Sequence, residues 1–158
     1  MQKPAPAIVA SVPHSSGGVY SPAVTAHGEI VYVSGQLGCI DGAGNKIAGV
    51  GDVAAEAAQA LRNLINVLEK AGSSLQQACR VIVYLTDISH YTALNAAYAA
   101  VLRETGADSA PPARACFAVA ALPLGGLVEI EATALVNAAP RRVVGFTCLL
   151  YTSDAADD

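Results

Sequence analysis

The sequence predicts an α+β fold, ordered β-β-α-β-α-β-β, in which two helices cover one face of a single sheet. Three observations predict it. Apolar residues recur at three- and four-residue steps in two stretches, short segments between them are rich in β-branched residues, and glycine or proline marks nearly every junction.

Val19 to Thr25 and Ile30 to Ser34 are β-prone segments joined by Ala26-His27-Gly28-Glu29, which predicts a hairpin. Gly38 to Gly51 contains five glycines and reads as loop. Asp52 offers an N-cap to a helix whose stripe is Val53, Ala57, Ala60, Leu61, Leu64, Val67 and Leu68, with Gly72 as its stop. Ala78 to Leu85 is β-branched and predicts a strand buried on at least one face. Ser89 is positioned to cap a second helix with a stripe of Tyr91, Leu94, Tyr98, Val101 and Leu102 and a stop at Gly106. Pro111-Pro112 forces an extended lead into a strand over Ala113 to Ala120, and Leu127 to Val136 supplies the last strand. Helices on one face leave the other sheet face in need of a partner, which self-association would supply.

The chain has 158 residues, which fits one domain over 1–136 and leaves no room for a separate cofactor domain. With 53% hydrophobic and 14% charged residues, it has ample material for a core. The net charge is −4, but Asp154, Asp157 and Asp158 close the chain, and without them it is −1. Only Arg141 and Arg142 are adjacent cations, so nothing suggests a nucleic-acid partner. Cys39, Cys79, Cys116 and Cys148 show no CxxC spacing, which argues against a zinc site or redox pair and fits reduced thiols in the cytoplasm. No export signal and no run of about 18 apolar residues is present, so no membrane association is expected.

From about Asn137 periodicity disappears, and 137–158 reads as an irregular tail. Residues 148–158, CLLYTSDAADD, resemble the translation of a transposase-type sequencing adapter and are set aside from fold reasoning. A frayed acidic C-terminus is the alternative.

Gly49-Val50-Gly51-Asp52-Val53-Ala54 matches G-x-G-x-x-A at a helix start, as a dinucleotide site would. Its context fails: no full strand precedes it, and Asp52 puts a negative charge where a pyrophosphate belongs. The stronger constellation is PPARACFAVAALPLGGLVEIEATAL, residues 111–135. Strand alternation points Arg114 and Cys116 to one face, and Glu129 and Glu131 share a face of their own strand. An arginine in an apolar strand needs an anion, and its planar fork suits a carboxylate. The residues alone leave an internal ion pair with a glutamate and a ligand site equally open. Cys116 reads as a small buried hydrophobe before a nucleophile, because no histidine stands at a suggestive position. His14, His27 and His90 fall in loops or at a helix start, and Tyr20, Tyr91 and Tyr98 read as core.

Five separated elements stand together in order: Tyr20-Ser21-Pro22-Ala23, Val33-Ser34-Gly35-Gln36, Leu94-Asn95-Ala96-Ala97-Tyr98, Pro112-Ala113-Arg114-Ala115-Cys116, and Leu122-Pro123 followed by Val128-Glu129-Ile130-Glu131. In this pattern the chain resembles the RidA (YjgF-type) family over Gly18 to Val136. The resemblance implies a chorismate-mutase-like fold, with a single mixed sheet and two helices on one face, assembled as a homotrimer with sites between subunits. It implies that Arg114 binds a substrate carboxylate through two hydrogen bonds and that backbone near Gly35 and Cys116 fixes the ligand. Tyr20 and Asn95 would line the pocket, with Asn95 placed to reach across the interface.

The implied reaction is hydrolysis of 2-imino or 2-enamino acids to 2-keto acids and ammonia, without metal or organic cofactor. Glu129 would handle the water and its proton, and Ser34 and the Cys116 carbonyl would contact the water or the departing nitrogen. A non-catalytic trimer that binds a small carboxylate is the alternative, and an endoribonuclease or translation inhibitor is a weaker one. The loop Gly38-Cys39-Ile40-Asp41-Gly42 and the longer stretch before Gly17 depart from the family pattern, which bears on substrate range.

Overall fold

The computed structural model describes residues 18–137 and the backbone of two further strands, Ala7–Val9 and Arg142–Val144. In chain order the elements are β1 (Ala7–Val9), β2 (Ala23–Val24), β3 (Ile30–Leu37), α1 (Val53–Lys70), β4 (Ala78–Leu85), α2 (Tyr91–Thr105), β5 (Ala113–Ala118), β6 (Val128–Leu135) and β7 (Arg142–Val144).

The central sheet runs β3-β6-β4-β5, antiparallel except for the parallel β4–β5 pair. It is a mixed sheet in an α+β fold. Alternation along the strands divides its faces. Val81, Val83, Leu85, Val128, Ile130 and Ala134 are fully buried, and they meet Leu61, Leu64 and Leu68 of α1 and Leu94, Tyr98 and Leu102 of α2 in one core. The residues between them in sequence, including Ile82, Tyr84, Glu129 and Glu131, point to the other face. Among the described residues no helix covers that face, and Tyr32 (77% exposed) and Phe117 (52%) stand on it.

Both helices form for the reasons visible in the sequence. Asp52 caps α1 by accepting from the Ala54 and Ala55 amides at 2.8 and 3.3 Å. Gly106 ends α2 in the left-handed region at φ 71°, which a Cβ disfavours. Ser89 does not cap α2, whose N-cap position is His90 without a side-chain cap bond; the capping side chain is that of Asp87, one turn earlier. Its carboxylate accepts from the Ser89 amide at 2.8 Å and sets a 3-10 turn, Ile88–His90, that leads into α2.

The expected hairpin does not form. Within Val19 to Thr25 only Ala23–Val24 is strand, and it pairs with β1, while β3 pairs with β6. Pro22 has no N–H to give a ladder. Just before it, Ser21 is drawn to β5, where its amide and hydroxyl bond the Pro112 and Pro111 carbonyls at 3.0 and 2.6 Å. β3 itself runs on to Leu37, past its expected end at Ser34, through a bulge between Val33 and Gln36.

Beyond Asn137, where the sequence shows no periodicity, β7 pairs in parallel with β1, so β2-β1-β7 form a second small sheet. Residues 148–158 lie outside the described residues.

Candidate active site

Arg114 owes its position to strand register. In the parallel β4–β5 pair it stands beside Val81, and Cys116 stands beside Val83, so both side chains project toward the helices. One face of α2 awaits them. Tyr91, Asn95 and Tyr98 follow each other at steps of four and three, which aligns them along the helix.

The guanidinium is enclosed. Its Nη2 donates to Asn95 Oδ1 at 2.6 Å and to the Tyr91 hydroxyl at 3.3 Å. Its Cζ lies 4.7 Å from the centre of the Tyr98 ring, 5.2 Å from that of Tyr20 and 5.7 Å from that of Tyr91. Aromatic faces attract a cation by roughly 0.5 to 2 kcal/mol each, depending on desolvation. Gly18 completes the enclosure, because a Cβ there would stand 2.7 Å from Nη2 and 2.8 Å from Tyr20 Cε1.

One part of the cation is unanswered. Nη1 is buried and has no hydrogen-bond partner among the described residues. Leaving such a donor unpaired costs about 1 to 3 kcal/mol, and more for a charged group. The internal ion pair that the sequence left open is not made within the described residues. Glu129 and Glu131 lie on the opposite sheet face, and β4 separates their strand from β5. Beside the cation lies a cavity of about 440 Å³ lined by Tyr20, Ile88, Tyr91, Arg114 and Cys116. Burial pushes the Cys116 thiol above its ordinary value, against the opposing pull of Arg114. A protonated thiol is a poor nucleophile.

A second cluster stands on the open face. Glu129 of β6 is in register with Tyr84 of β4 and Leu37 of β3. Its carboxylate lies directly over the Gly35 backbone, where any Cβ would coincide with Glu129 Oε1. Ser34, which is exposed, and Gly35 form the β3 bulge, a device that re-aims side chains next to sites. Tyr84 sits between carboxylates, and its hydroxyl is pushed up by burial first and then by the charge and hydrogen bond of Glu131.

The structure therefore brings Arg114, Tyr20, Asn95 and Cys116 together, and Ser34, Gly35 and Glu129 together, but not the two groups with each other. Asn95 reaches Arg114 within one chain and needs no interface to do so. The Gly38–Gly42 loop touches neither the cavity nor Arg114. Asn63 of α1 holds it through the Leu37 and Ile40 carbonyls, both at 2.9 Å, and Asp41 folds it around the Ala43 and Asn45 amides. Sequence reasoning passed over Gly18; its core reading holds for Tyr98, which is fully buried, and for Tyr91, which packs against the core, but it did not foresee that both rings also face Arg114. The spacing of the two tyrosines around Asn95 was the available signal.

Comparison with known proteins agrees with this architecture. The family model described as endoribonuclease L-PSP matches residues 11–136. A 2-iminobutanoate/2-iminopropanoate deaminase of Capra hircus is 41% identical over 75% of this chain and 80% of its own length. Protein HMF1 of Saccharomyces cerevisiae is 37% identical over 82% of this chain and 92% of its own. Among solved structures, RidA from the Antarctic bacterium Psychrobacter sp. superposes with a TM-score of 0.59 at 38% identity, covering 80% of this chain and 94% of that one. The YjgF gene product of E. coli superposes with a TM-score of 0.61 at 29% identity, covering 80% and 98%. With a match that spans nearly the whole described domain, and relatives well above 30% identity, the chain belongs to the endoribonuclease L-PSP family, the group of YjgF and RidA.

Proposed function

We propose that the protein is a hydrolytic deaminase of reactive 2-imino and 2-enamino acids, acting as a cytoplasmic homotrimer with its sites between subunits. The observation that carries this reading is the buried, unanswered Nη1 of a partly buried Arg114 beside a cavity. That is the arrangement a small carboxylate completes, and charge-assisted bonds to an arginine are among the stronger ones available.

The chemistry asks little more than placement. An enamine becomes an imine by taking a proton at carbon, and an imine protonated at nitrogen is electrophilic at its carbon. Water adds there and loses a proton, the nitrogen gains one, and the C–N bond breaks as the new hydroxyl gives up its own proton, which leaves a 2-keto acid, ammonia and the proton that activated the imine. Arg114 fixes the carboxylate, and Tyr20, Tyr91 and Cys116 wall the remainder of the substrate. Glu129 takes the proton from water and returns it to the departing nitrogen, assisted by the Ser34 hydroxyl and the Gly35 and Cys116 backbone.

Glu129 lies across the sheet from Arg114 in its own chain, so the carboxylate serving each Arg114 belongs to a neighbouring copy. The uncovered sheet face, with Tyr32 and Phe117 exposed, supports such an assembly. The test generates 2-iminopropanoate or 2-iminobutanoate in situ with an amino-acid oxidase and follows its loss. Acceleration over buffer that disappears in Arg114→Ala is expected; no acceleration refutes the reading.

The split between the two clusters favours one second reading, a carboxylate-binding trimer without turnover. Tight 2-ketobutyrate binding in calorimetry, with no imine loss, would establish that reading. The family description also names an endoribonuclease. RNA cleavage or salt-sensitive RNA binding would support that activity, and neither is expected from a cation walled in by three rings and an asparagine.

A further inference from the structure

We propose that Tyr91 is a positioning residue whose hydroxyl, together with Asn95, occupies Arg114 Nη2 and thereby turns the guanidinium to present Nη1 to the ligand. The proposal deepens the reading of Arg114 as a carboxylate clamp and rests on it.

A guanidinium is flat, and the three rings around this one constrain it unequally. Ring faces at 4.7 to 5.7 Å hold its plane and its charge. Cation–π attraction has little directional preference within that plane, so the rings do not decide which nitrogen faces the cavity. Hydrogen bonds do. Nη2 carries two N–H groups. One goes to Asn95 Oδ1 at 2.6 Å and the other to the Tyr91 oxygen at 3.3 Å. Both acceptors stand on α2 one turn apart, and Asn95 is nine-tenths buried. With Nη2 saturated, the buried Nη1, unpartnered among the described residues, is the terminal nitrogen left to offer its hydrogens.

The sequence explains how Tyr91 comes to be there. It is the first residue of α2 and follows directly on the 3-10 turn that Asp87 caps, so the turn fixes the direction in which the ring leaves the helix. A phenylalanine would keep the ring, the wall of the cavity and the attraction for the cation. It would lose the directional bond to Nη2. Preorganisation of this kind improves binding of the carboxylate in ground state and transition state alike, and so moves KM more than kcat.

The experiment uses the full chain and the Tyr91→Phe variant. Steady-state imine hydrolysis gives KM and kcat, calorimetry gives the Kd of 2-ketobutyrate, and NMR of arginine-labelled protein reports rotation about the Arg114 Cζ–Nη2 bond without ligand. Losing one hydrogen bond to a charged group is expected to raise KM and Kd together by about 3- to 10-fold, with kcat held within about twofold. Nη2 rotation is expected to be faster in the variant. A purely structural tyrosine would alter thermal stability and leave these quantities in place.

KM and Kd at their unsubstituted values would overturn the proposal. So would a fall in kcat alone, which would put the hydroxyl in the chemistry, and a weaker Kd with unchanged Nη2 rotation, which would assign the loss to cavity shape. Any of these leaves the clamp itself standing. Arg114→Ala that hydrolyses imine as fast as the unsubstituted protein removes the clamp, and the positioning role with it.

Discussion

The two faces of the central sheet carry the two halves of the candidate site, and they are built differently. On the helix face the Arg114 half is complete within one chain, with rings at 4.7 to 5.7 Å, an asparagine at 2.6 Å and a walled cavity. On the open face the Glu129 half rests on a strand bulge that no helix among the described residues covers. Recognition of an anion asks for a desolvated, preorganised cation, which a core can supply. Proton handling asks for a carboxylate that meets substrate and water, and under the proposed assembly the open face would deliver one to a neighbouring copy. The difference teaches that the two halves are separable: the cation is seated by contacts within one chain, while the Glu129 carboxylate stands apart from it on the other sheet face.

The sharpest way to break that division is Glu129→Gln, which keeps the shape of the side chain and removes its proton chemistry. General acid–base groups contribute roughly 10²- to 10⁴-fold. We expect kcat for imine hydrolysis to fall by about 10³-fold by that measure, while 2-ketobutyrate binds in calorimetry as before. Equal losses in binding and turnover would merge the two halves.

The complementary change, Arg114→Ala, removes the cation and its bonds to the carboxylate. Two charge-assisted bonds correspond to about 3 to 6 kcal/mol, so kcat/KM should fall by at least about 10²-fold and calorimetric binding should vanish. Retained ligand affinity would show that the anion site lies elsewhere.

Gly35→Ala tests how the Glu129 half is seated. A Cβ at Gly35 would occupy the place of Glu129 Oε1, so the carboxylate must swing away. We expect kcat to drop by about 10-fold or more with Kd for 2-ketobutyrate held, because a small misplacement of a catalytic group costs that much. A parallel rise in Kd would mean that Gly35 contributes to ligand binding as well as to the placement of Glu129.

How much of this was legible in the sequence depends on the range of the forces involved. The helices were readable because their caps and stripes are local: Asp52, Gly72 and Gly106 act within a turn of where they stand. The relation of Arg114 to Cys116 was readable from strand alternation. The face on which Arg114 stands relative to Glu129 was not, because it depends on the register of β5 against β4 and of β4 against β6, which no local pattern encodes. The hairpin expectation failed for the same reason: Ser21 answers to Pro111 and Pro112, 90 residues away, and not to its neighbour strand. Tyr91 and Tyr98 lay on an apolar stripe and read as core, which the burial of Tyr98 bears out, but their second role is not local. Only the arrival of Arg114 from β5 makes them the walls of a cation site.

The smallest effect is expected at Cys116, which stands beside Arg114 and tests whether the recognition half does any covalent chemistry. Desolvation pushes its thiol above the ordinary value of 9.0, with Arg114 pulling the other way. The neutral thiol is therefore the form present near pH 7.5, and Cys116→Ser should hold kcat/KM within about threefold, as a near-isosteric change at a non-reacting group does. A covalent mechanism would instead lose several orders of magnitude. The same shift has a consequence for stability with a definite sign. Folding favours the protonated thiol, so its contribution is full below pH 9 and is lost as the pH climbs through the higher folded value. Tyr84, also pushed above its ordinary 10.0, acts in the same direction at higher pH. Urea midpoints should fall from pH 8 to pH 10.5, and Cys116→Ser should make that fall shallower. An equally steep fall in the variant would show that the thiol is as readily ionised folded as unfolded.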